Sequence, residues 1–298
     1  MGSRFDLQVN GYLGVGFSDP DLTEAGIRAT FDSYLALVDG FLPTVVTSPE
    51  EVYRRNLPLL AKAMAEPAYA ARVPGLHLEG PFISPEPGAV GAHCPRSVRD
   101  PDPALFERLL DYADGRIKLL TIAAERPGSD ALCRHAVAAG ITVSLGHQMA
   151  RYDDLCRLRD AGARLLTHLG NGMPNTVPRH DNSLLAGLAV DGLDPMIITD
   201  GHHLPDHVIK VILDHVGCGR AIVTSDASRL AGLPAGHYRD GENQVVIEPD
   251  GKLWNPEVGC LVGSSAHLGQ CADRLRQLGY SEADLTALTD TNPRRAVG

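Results

Sequence analysis

With 298 residues, 44% of them hydrophobic and 21% charged, the chain has the composition of a globular protein, long enough for one large α/β barrel or for two smaller domains. A formal net charge of −10 argues against nucleic acid or another polyanion as the general partner, and no basic patch with interleaved aromatics offsets it. The six cysteines (Cys94, Cys133, Cys156, Cys218, Cys260 and Cys271) are dispersed with no C-x-x-C pair, and neither a signal peptide nor a membrane span is legible, so the expectation is a cytoplasmic protein with reduced thiols and no membrane partner.

Short β-rich runs alternate with longer amphipathic stretches along nearly the whole chain. Strands are predicted at 5–10, 41–47, 73–79, 117–123, 141–146, 163–168, 195–200 and 220–225. The helical pattern falls between them, at 21–38, 50–66, 103–113, 129–139, 151–161, 183–190 and 205–216, with a last helix at 264–278. Ser48 and Pro49 read as the start of the second helix and Ser129 as the start of the fourth. Eight β runs with intervening helices imply a parallel sheet, and the count favours a closed (β/α)8 TIM barrel spanning residues 1–298 as one domain over an open doubly wound sheet. Two connections rich in Gly, Pro and Asn, 81–102 and 169–182, are expected to form lids or substrate loops. Segment 236–254 carries turn signals at Asp240-Gly241 and Asp250-Gly251 and reads as a β-hairpin inserted before the last helix.

The chemistry of such a barrel sits at the C-terminal ends of its strands. Glu79 closes the run in GLHLEGPF (75–82), His147 ends ITVSLGH (141–147) and His168 lies in RLLTHLGN (164–171). One carboxylate and two imidazoles with an open position make a hydrolytic zinc-type set, whose metal lowers the pKa of bound water to about 7. Asp226, at the end of AIVTSD (221–226), is the proton carrier, although SDAS is also good capping chemistry. A lone strand histidine is more often a core residue, and Glu79 has a plainer alternative as a carboxylate satisfied by His77, two residues earlier on the same face. Joint placement of the three at strand ends favours the ligand role, because an unpaired buried charge is costly; His77 then orients a ligand from behind. Asp200 precedes Gly201-His202-His203 and either braces His203 or holds the loop together.

At GLHLEGPFISPEPGAVGAH, VSLGHQMARY, THLGNGMPNTVPR, ITDGHHL and VTSDASRLAGLPAGHY the chain resembles the N-acetylglucosamine-6-phosphate deacetylases of the amidohydrolase superfamily, in order from Phe5 to Gly298, with CLVGS (260–264) and TNPRRAVG (291–298) in support. The resemblance implies that Glu79, His147 and His168 are metal ligands and that Asp226 is the general acid and base. It also implies that Ala92, His93 and His203 line the substrate site, and that Asn171 and Gly172 stand where the family contacts the sugar through an Asn-Ala pair. Arg179 stands at the phosphate-binding arginine, and Leu261, Val262 and Gly263 lie in a substrate-contacting loop. The implied cofactor is one divalent metal ion, zinc with iron(II) as the alternative; the implied partners are a small amino-sugar substrate, no nucleic acid, and a second copy in a homodimer. The implied reaction converts N-acetyl-D-glucosamine 6-phosphate to glucosamine 6-phosphate and acetate.

Departures from the family pattern shape further expectations. Where many amidohydrolases carry H-x-H at the end of strand one, this chain has Gln8-Val9-Asn10, and two amides do not replace two imidazoles, so a mononuclear site is expected. His180, Asp181 and Asn182 replace the usual Glu-Pro-Gly after Arg179, which motivates an alternative substrate, an unphosphorylated or nucleotide-linked N-acyl sugar. The family's N-terminal segment of a small β-sandwich is expected to be absent, since strand one starts near residue 5. That prompts a third reading, a non-catalytic sugar-phosphate binding protein, against which the retention of all three ligands and Asp226 speaks.

Overall fold

The computed structural model describes residues 2–240 and 243–298. Eight parallel strands follow one another in sequence order: β1 (Phe5–Val9), β2 (Gly40–Val46), β3 (Leu76–Glu79), β4 (Ile117–Ile122), β5 (Thr142–Leu145), β6 (Leu165–Leu166), β7 (Asp194–Ile197) and β8 (Ile222–Val223). Helices α1 (Glu24–Leu35), α2 (Glu50–Met64), α3 (Pro103–Tyr112), α4 (Ser129–Ala138), α5 (Tyr152–Asp160), α6 (Ser183–Ala189) and α7 (Asp206–Val216) fill the crossovers, which makes the expected (β/α)8 barrel. Each helix turns an apolar stripe to the sheet, as Ile209, Ile212 and Leu213 do in α7, and several are started by a side-chain cap such as Thr23, Asp102 or Asn182. None of these helices is long and apolar enough to cross a membrane, among the described residues.

The layers inside the barrel change chemistry from bottom to top. Phe5, Leu7, Leu42, Leu119, Leu165, Met196 and Ile222 form an apolar floor. Above it lies a polar layer in which His77 Nε2 meets Thr121 Oγ1 at 2.8 Å, Thr121 meets Thr167 at 2.8 Å and Thr167 meets Ser144 at 2.5 Å. The ionisable groups crown this layer.

β1 deviates from simple alternation. Its register against β2 shifts between Asp6 and Val9. Leu7 joins the apolar floor, and Gln8 reaches Glu79 on the same inner side, so the irregularity re-aims Gln8 into the mouth as a bulge does. Asp6, by contrast, faces α1. Among the described residues, one parallel bridge from Val9 to Ala227 stands in place of a ladder between β1 and β8. The Asp6 carboxylate fills that seam, accepting from Thr224 Oγ1 (2.7 Å), Ser225 N (3.1 Å), Ser225 Oγ (2.6 Å) and Tyr34 OH (2.7 Å).

Four expectations are corrected. The inserted hairpin is part of a four-stranded antiparallel sheet, β9 (Gly236–Asp240), β10 (Asn243–Ile247), β11 (Leu253–Asn255) and β12 (Cys260–Leu261), built over Leu230, Val245, Ile247, Leu253 and Val262; Gly241 lies outside the described residues. The helix expected from residue 264 starts at Leu268 as α8 (Leu268–Gln277), capped by His267, because Ser264 is engaged in a β-bridge. It is not the last: α9 (Glu282–Thr286), a π-helical turn at 287–291 and α10 (Asn292–Val297) follow, and Val297 packs into the barrel floor. Finally, Pro49 and Gly128 occupy the caps of α2 and α4, while Ser129 is already helical and donates to the carbonyl of Ala123 at 2.6 Å.

Candidate active site

Glu79 is the final residue of β3, and His147, His168 and Asp226 each lie just past a strand end. These last three share a feature that alternation does not foretell: φ is +48° at His147, +31° at His168 and +52° at Asp226. A non-glycine residue in the left-handed region is strained, by about 1–3 kcal/mol at functional sites, although His and Asp tolerate it better than branched residues. The turn ends each strand abruptly and swings the side chain over the barrel axis.

Glu79, His147 and His168 are buried, 2%, 7% and 3% exposed, and converge on one point. Glu79 Oε1 lies 3.1 Å from His147 Nε2 and 2.9 Å from His168 Nε2, and the two Nε2 atoms are 3.1 Å apart. His147 Nδ1 is 2.8 Å from the carbonyl of Ala89, to which it donates, so Nε2 carries a lone pair aimed at the centre. Gathering lone pairs around a carboxylate in a buried volume is unfavourable unless a cation lies between them; the donor set therefore fits a divalent metal, all ligand atoms being within 4.8 Å of one another. Burial opposes ionisation of Glu79, but the bonds to His147 and His168 outweigh it and hold its carboxyl well below the ordinary range. Burial likewise opposes charge on His147, yet Glu79 raises its pKa.

The amides Gln8 and Asn10 reach into the same cluster. Gln8 Nε2 donates to Glu79 Oε1 at 2.9 Å and to Asp226 Oδ1 at 3.0 Å, and Asn10 Nδ2 donates to the same Asp226 Oδ1 at 2.7 Å. With Oδ1 doubly engaged, Oδ2 is the oxygen of Asp226 left for a proton. Burial and the nearby charge of Glu79 push the Asp226 carboxyl up to about 6.

His93 comes in from loop 81–102, its Nε2 3.0 Å from His147 Nε2 and 3.9 Å from Glu79 Oε2, while Ala92 beside it is exposed. Burial and His147 push His93 down to about 3, keeping it neutral. His203 is held by Asp200 at 2.8 Å. Asn171 donates back to the carbonyl of His168. Gly172, with φ +60°, runs so close to the two imidazoles that a Cβ would lie 3.0 Å from His147 Nδ1 and 3.1 Å from His168 Cε1. Gly263, with φ +61°, abuts the main chain of Asp226, whereas Val262 points into the cluster beneath the accessory sheet and Leu261 is half-buried. Arg179 is exposed and, among the described residues, has no hydrogen-bonded or ionic partner; nearby Asp181 pairs with Arg151 at 3.2 Å. His77 bonds Thr121 and lies 3.3 Å from Thr44 Oγ1, one layer beneath Glu79, His147 and His168 rather than against them.

Sequence reasoning passed over two residues that shape this site. Asp6 carries the seam, and its signal was a charged residue inside the apolar run FDLQV. Ser264 is bonded to the main chain around Asp226 and had no signal of its own.

No protein-family model matches the chain. It is 33% identical over 310 residues to the N-acetylglucosamine-6-phosphate deacetylase of Homo sapiens, covering 98% of this chain and 73% of that protein. It is 27% identical over 298 residues to the N-acetylgalactosamine-6-phosphate deacetylase of Escherichia coli O157:H7, covering 98% of this chain and 76% of that protein. Among solved structures it superimposes, with a TM-score of 0.89 and 28% identity, on a mutant N-acetyl-D-glucosamine-6-phosphate deacetylase from Mycobacterium smegmatis in complex with N-acetyl-D-glucosamine-6-phosphate, over 100% of this chain and 77% of that one.

Proposed function

Since this chain belongs to the N-acetylglucosamine-6-phosphate deacetylase family, we propose that it is a metal-dependent amide hydrolase that converts N-acetyl-D-glucosamine 6-phosphate to glucosamine 6-phosphate and acetate. The observation that carries the reading is the convergence of Glu79 Oε1, His147 Nε2 and His168 Nε2 at the barrel mouth, with Asp226 tied to the same carboxylate through Gln8. A divalent ion would be held by those three side chains, where it would supply an electrophile that acidifies water and offsets negative charge on the acyl oxygen. We read it as a single zinc, with iron(II) the alternative that the same donors accept.

The chain's own residues do the rest. Hydrolysis breaks the acetamide C–N bond and joins the water oxygen to the acyl carbon; Asp226 takes a water proton at Oδ2 and returns it to the amine nitrogen, so the proton stays in the site. Gln8 and Asn10 hold Oδ1 and thereby fix which oxygen faces the reaction. His93 flanks the centre as a donor for the carbonyl oxygen, and His203 lines the substrate side of it. Ala92, Asn171, Gly172, Leu261 and Gly263 shape the sugar's surroundings, and Arg179, a cation with no competing protein partner among the described residues, is the anchor for the phosphate. We take residues 1–298 to act as one catalytic barrel unit that pairs as a homodimer. The free thiols, among them exposed Cys94, support a cytoplasmic setting.

The His180-Asp181-Asn182 stretch after Arg179 favours a second reading, in which the sugar is unphosphorylated or nucleotide-linked. Acetate release from N-acetylglucosamine 6-phosphate, its galactose epimer, free N-acetylglucosamine and a nucleotide-linked form separates the readings. The phosphorylated gluco-sugar should turn over best, chelation should abolish the activity and added zinc restore it. No acetate from any of the four after loading with zinc or iron(II) would sink the enzyme assignment.

A further inference from the structure

One carboxylate joins two parts of the site that lie far apart in sequence. Asp200 follows β7, and its side chain and that of His203 are 2% and 5% exposed. Oδ1 accepts the backbone N–H groups of His202 (2.9 Å) and His203 (3.0 Å) and so closes the turn. Oδ2 accepts from His203 Nδ1 at 2.8 Å and from Ser264 Oγ at 2.7 Å.

Each of these last two bonds has a consequence. An ionised carboxylate only accepts, so the His203 proton is held on Nδ1 and, among the described residues, Nε2 is left without a protein partner. Burial opposes protonation of His203, but Asp200 outweighs it and Asp226 acts in the same direction. Ser264 stands at the exit of β12 and forms a parallel bridge with Ala227: its N–H donates to the carbonyl of Asp226 at 2.9 Å, and its own carbonyl accepts from Ser228 N at 2.8 Å. On the opposite side, Asn10 N donates to the carbonyl of Ala227 at 2.8 Å. The strained residue Asp226 is therefore clamped between β1 and the strand leaving the accessory sheet.

We propose that Asp200 is a positioning residue that fixes His203 and, through Ser264, the main chain carrying Asp226 as one unit. The role rests on the reading above, in which His203 and Asp226 serve amide hydrolysis; it adds that the accessory sheet reaches the chemistry through Ser264.

Asp200→Asn tests it. Asparagine keeps an oxygen for the two backbone donors but turns an amide N–H toward His203 Nδ1, which must then accept, moving the imidazole proton to Nε2. The expected result is an unchanged metal content, a drop of about tenfold or more in kcat/KM, and a ¹⁵N spectrum in which the His203 tautomer is exchanged. In a His203→Gln background the same substitution should cost less than about threefold, because coupled residues are not additive. Equal costs in both backgrounds, wild-type kcat/KM in Asp200→Asn, or an unchanged tautomer would overturn the proposal. If Asp200→Asn does not fold, Ser264→Ala replaces it, with a several-fold loss of kcat at full metal content expected and an unaltered kcat counting against the role. Should the wild-type protein release no acetate, the activity reading fails, while the tautomer measurement still decides whether Asp200 controls His203.

Discussion

At the scale of single residues, three side chains far apart in the chain meet as one candidate ligand set because each lies at or just past the end of a strand of the same barrel. That much is legible in the apolar runs before Glu79, His147 and His168. The positive φ values of His147, His168 and Asp226 are not, since nothing in a short polar tract says which residue takes the left-handed turn. Gln8 is a sharper case. Counting by two from Leu7 sends Gln8 away from the barrel axis, yet it bonds Glu79 and Asp226 at the barrel mouth because the register shift in β1 reverses its facing. Replacing Asp226 by Asn should leave the metal bound, since none of the ligand atoms is removed, and should lower kcat by about 10²–10⁴-fold, the usual contribution of a proton carrier. Metal analysis beside steady-state kinetics checks it; a variant that turns over at the parental rate removes Asp226 from the mechanism.

At the scale of elements, the seam between β1 and β8 is the part of the barrel with least backbone pairing, and it adjoins Asp226. Asp6 compensates with side-chain bonds, accepting from Thr224, Ser225 and Tyr34 in full burial, at the cost of a carboxyl whose pKa burial raises despite those bonds. Asp6→Asn points an amide at groups that are already donors, so it should destabilise by about 1–3 kcal/mol, as an unsatisfied buried group does. It should also lower turnover, because Ser225 is the neighbour of Asp226. Urea unfolding followed in parallel with acetate release would show both, and a variant as stable as the parent would mean the seam does not depend on Asp6. The main helices and barrel strands were readable to within a few residues, because the apolar runs that carry them are long even where, as at Leu165–Leu166 and Ile222–Val223, few residues pair. In the accessory sheet β11 and β12 span only Leu253–Asn255 and Cys260–Leu261, too short for alternation to register; β11 pairs on the edge of β10, and β12 on the edge of β11.

At the scale of the whole molecule, the barrel is apolar at its floor, polar in the middle and ionisable at its mouth, and the middle layer carries a liability. Burial pushes His77 down to about 4 from an ordinary value of 6.5, with Glu79 only partly opposing it. Its folded pKa thus lies below the unfolded one, so the unfolded chain binds more protons between these values; the contribution of neutral His77 is complete above pH 6.5 and is lost as pH falls toward 4. The full difference is about 3 kcal/mol. A His77→Gln variant should therefore lose less stability than the parent between pH 7 and pH 4, as read from urea midpoints; parallel curves would show that His77 does not titrate on unfolding. By itself the sequence determined the strand and helix periods, the barrel that follows from eight such repeats, and the residue types able to bind a metal at strand ends, because these depend on local pattern and on the chemistry of each side chain. Tertiary structure alone decided that Gln8 turns inward, that Asp6 seals the seam, that Val297 plugs the floor and that Asp200 reaches both His203 and Ser264. Those outcomes depend on which atoms meet across long stretches of chain, and no local period encodes such meetings.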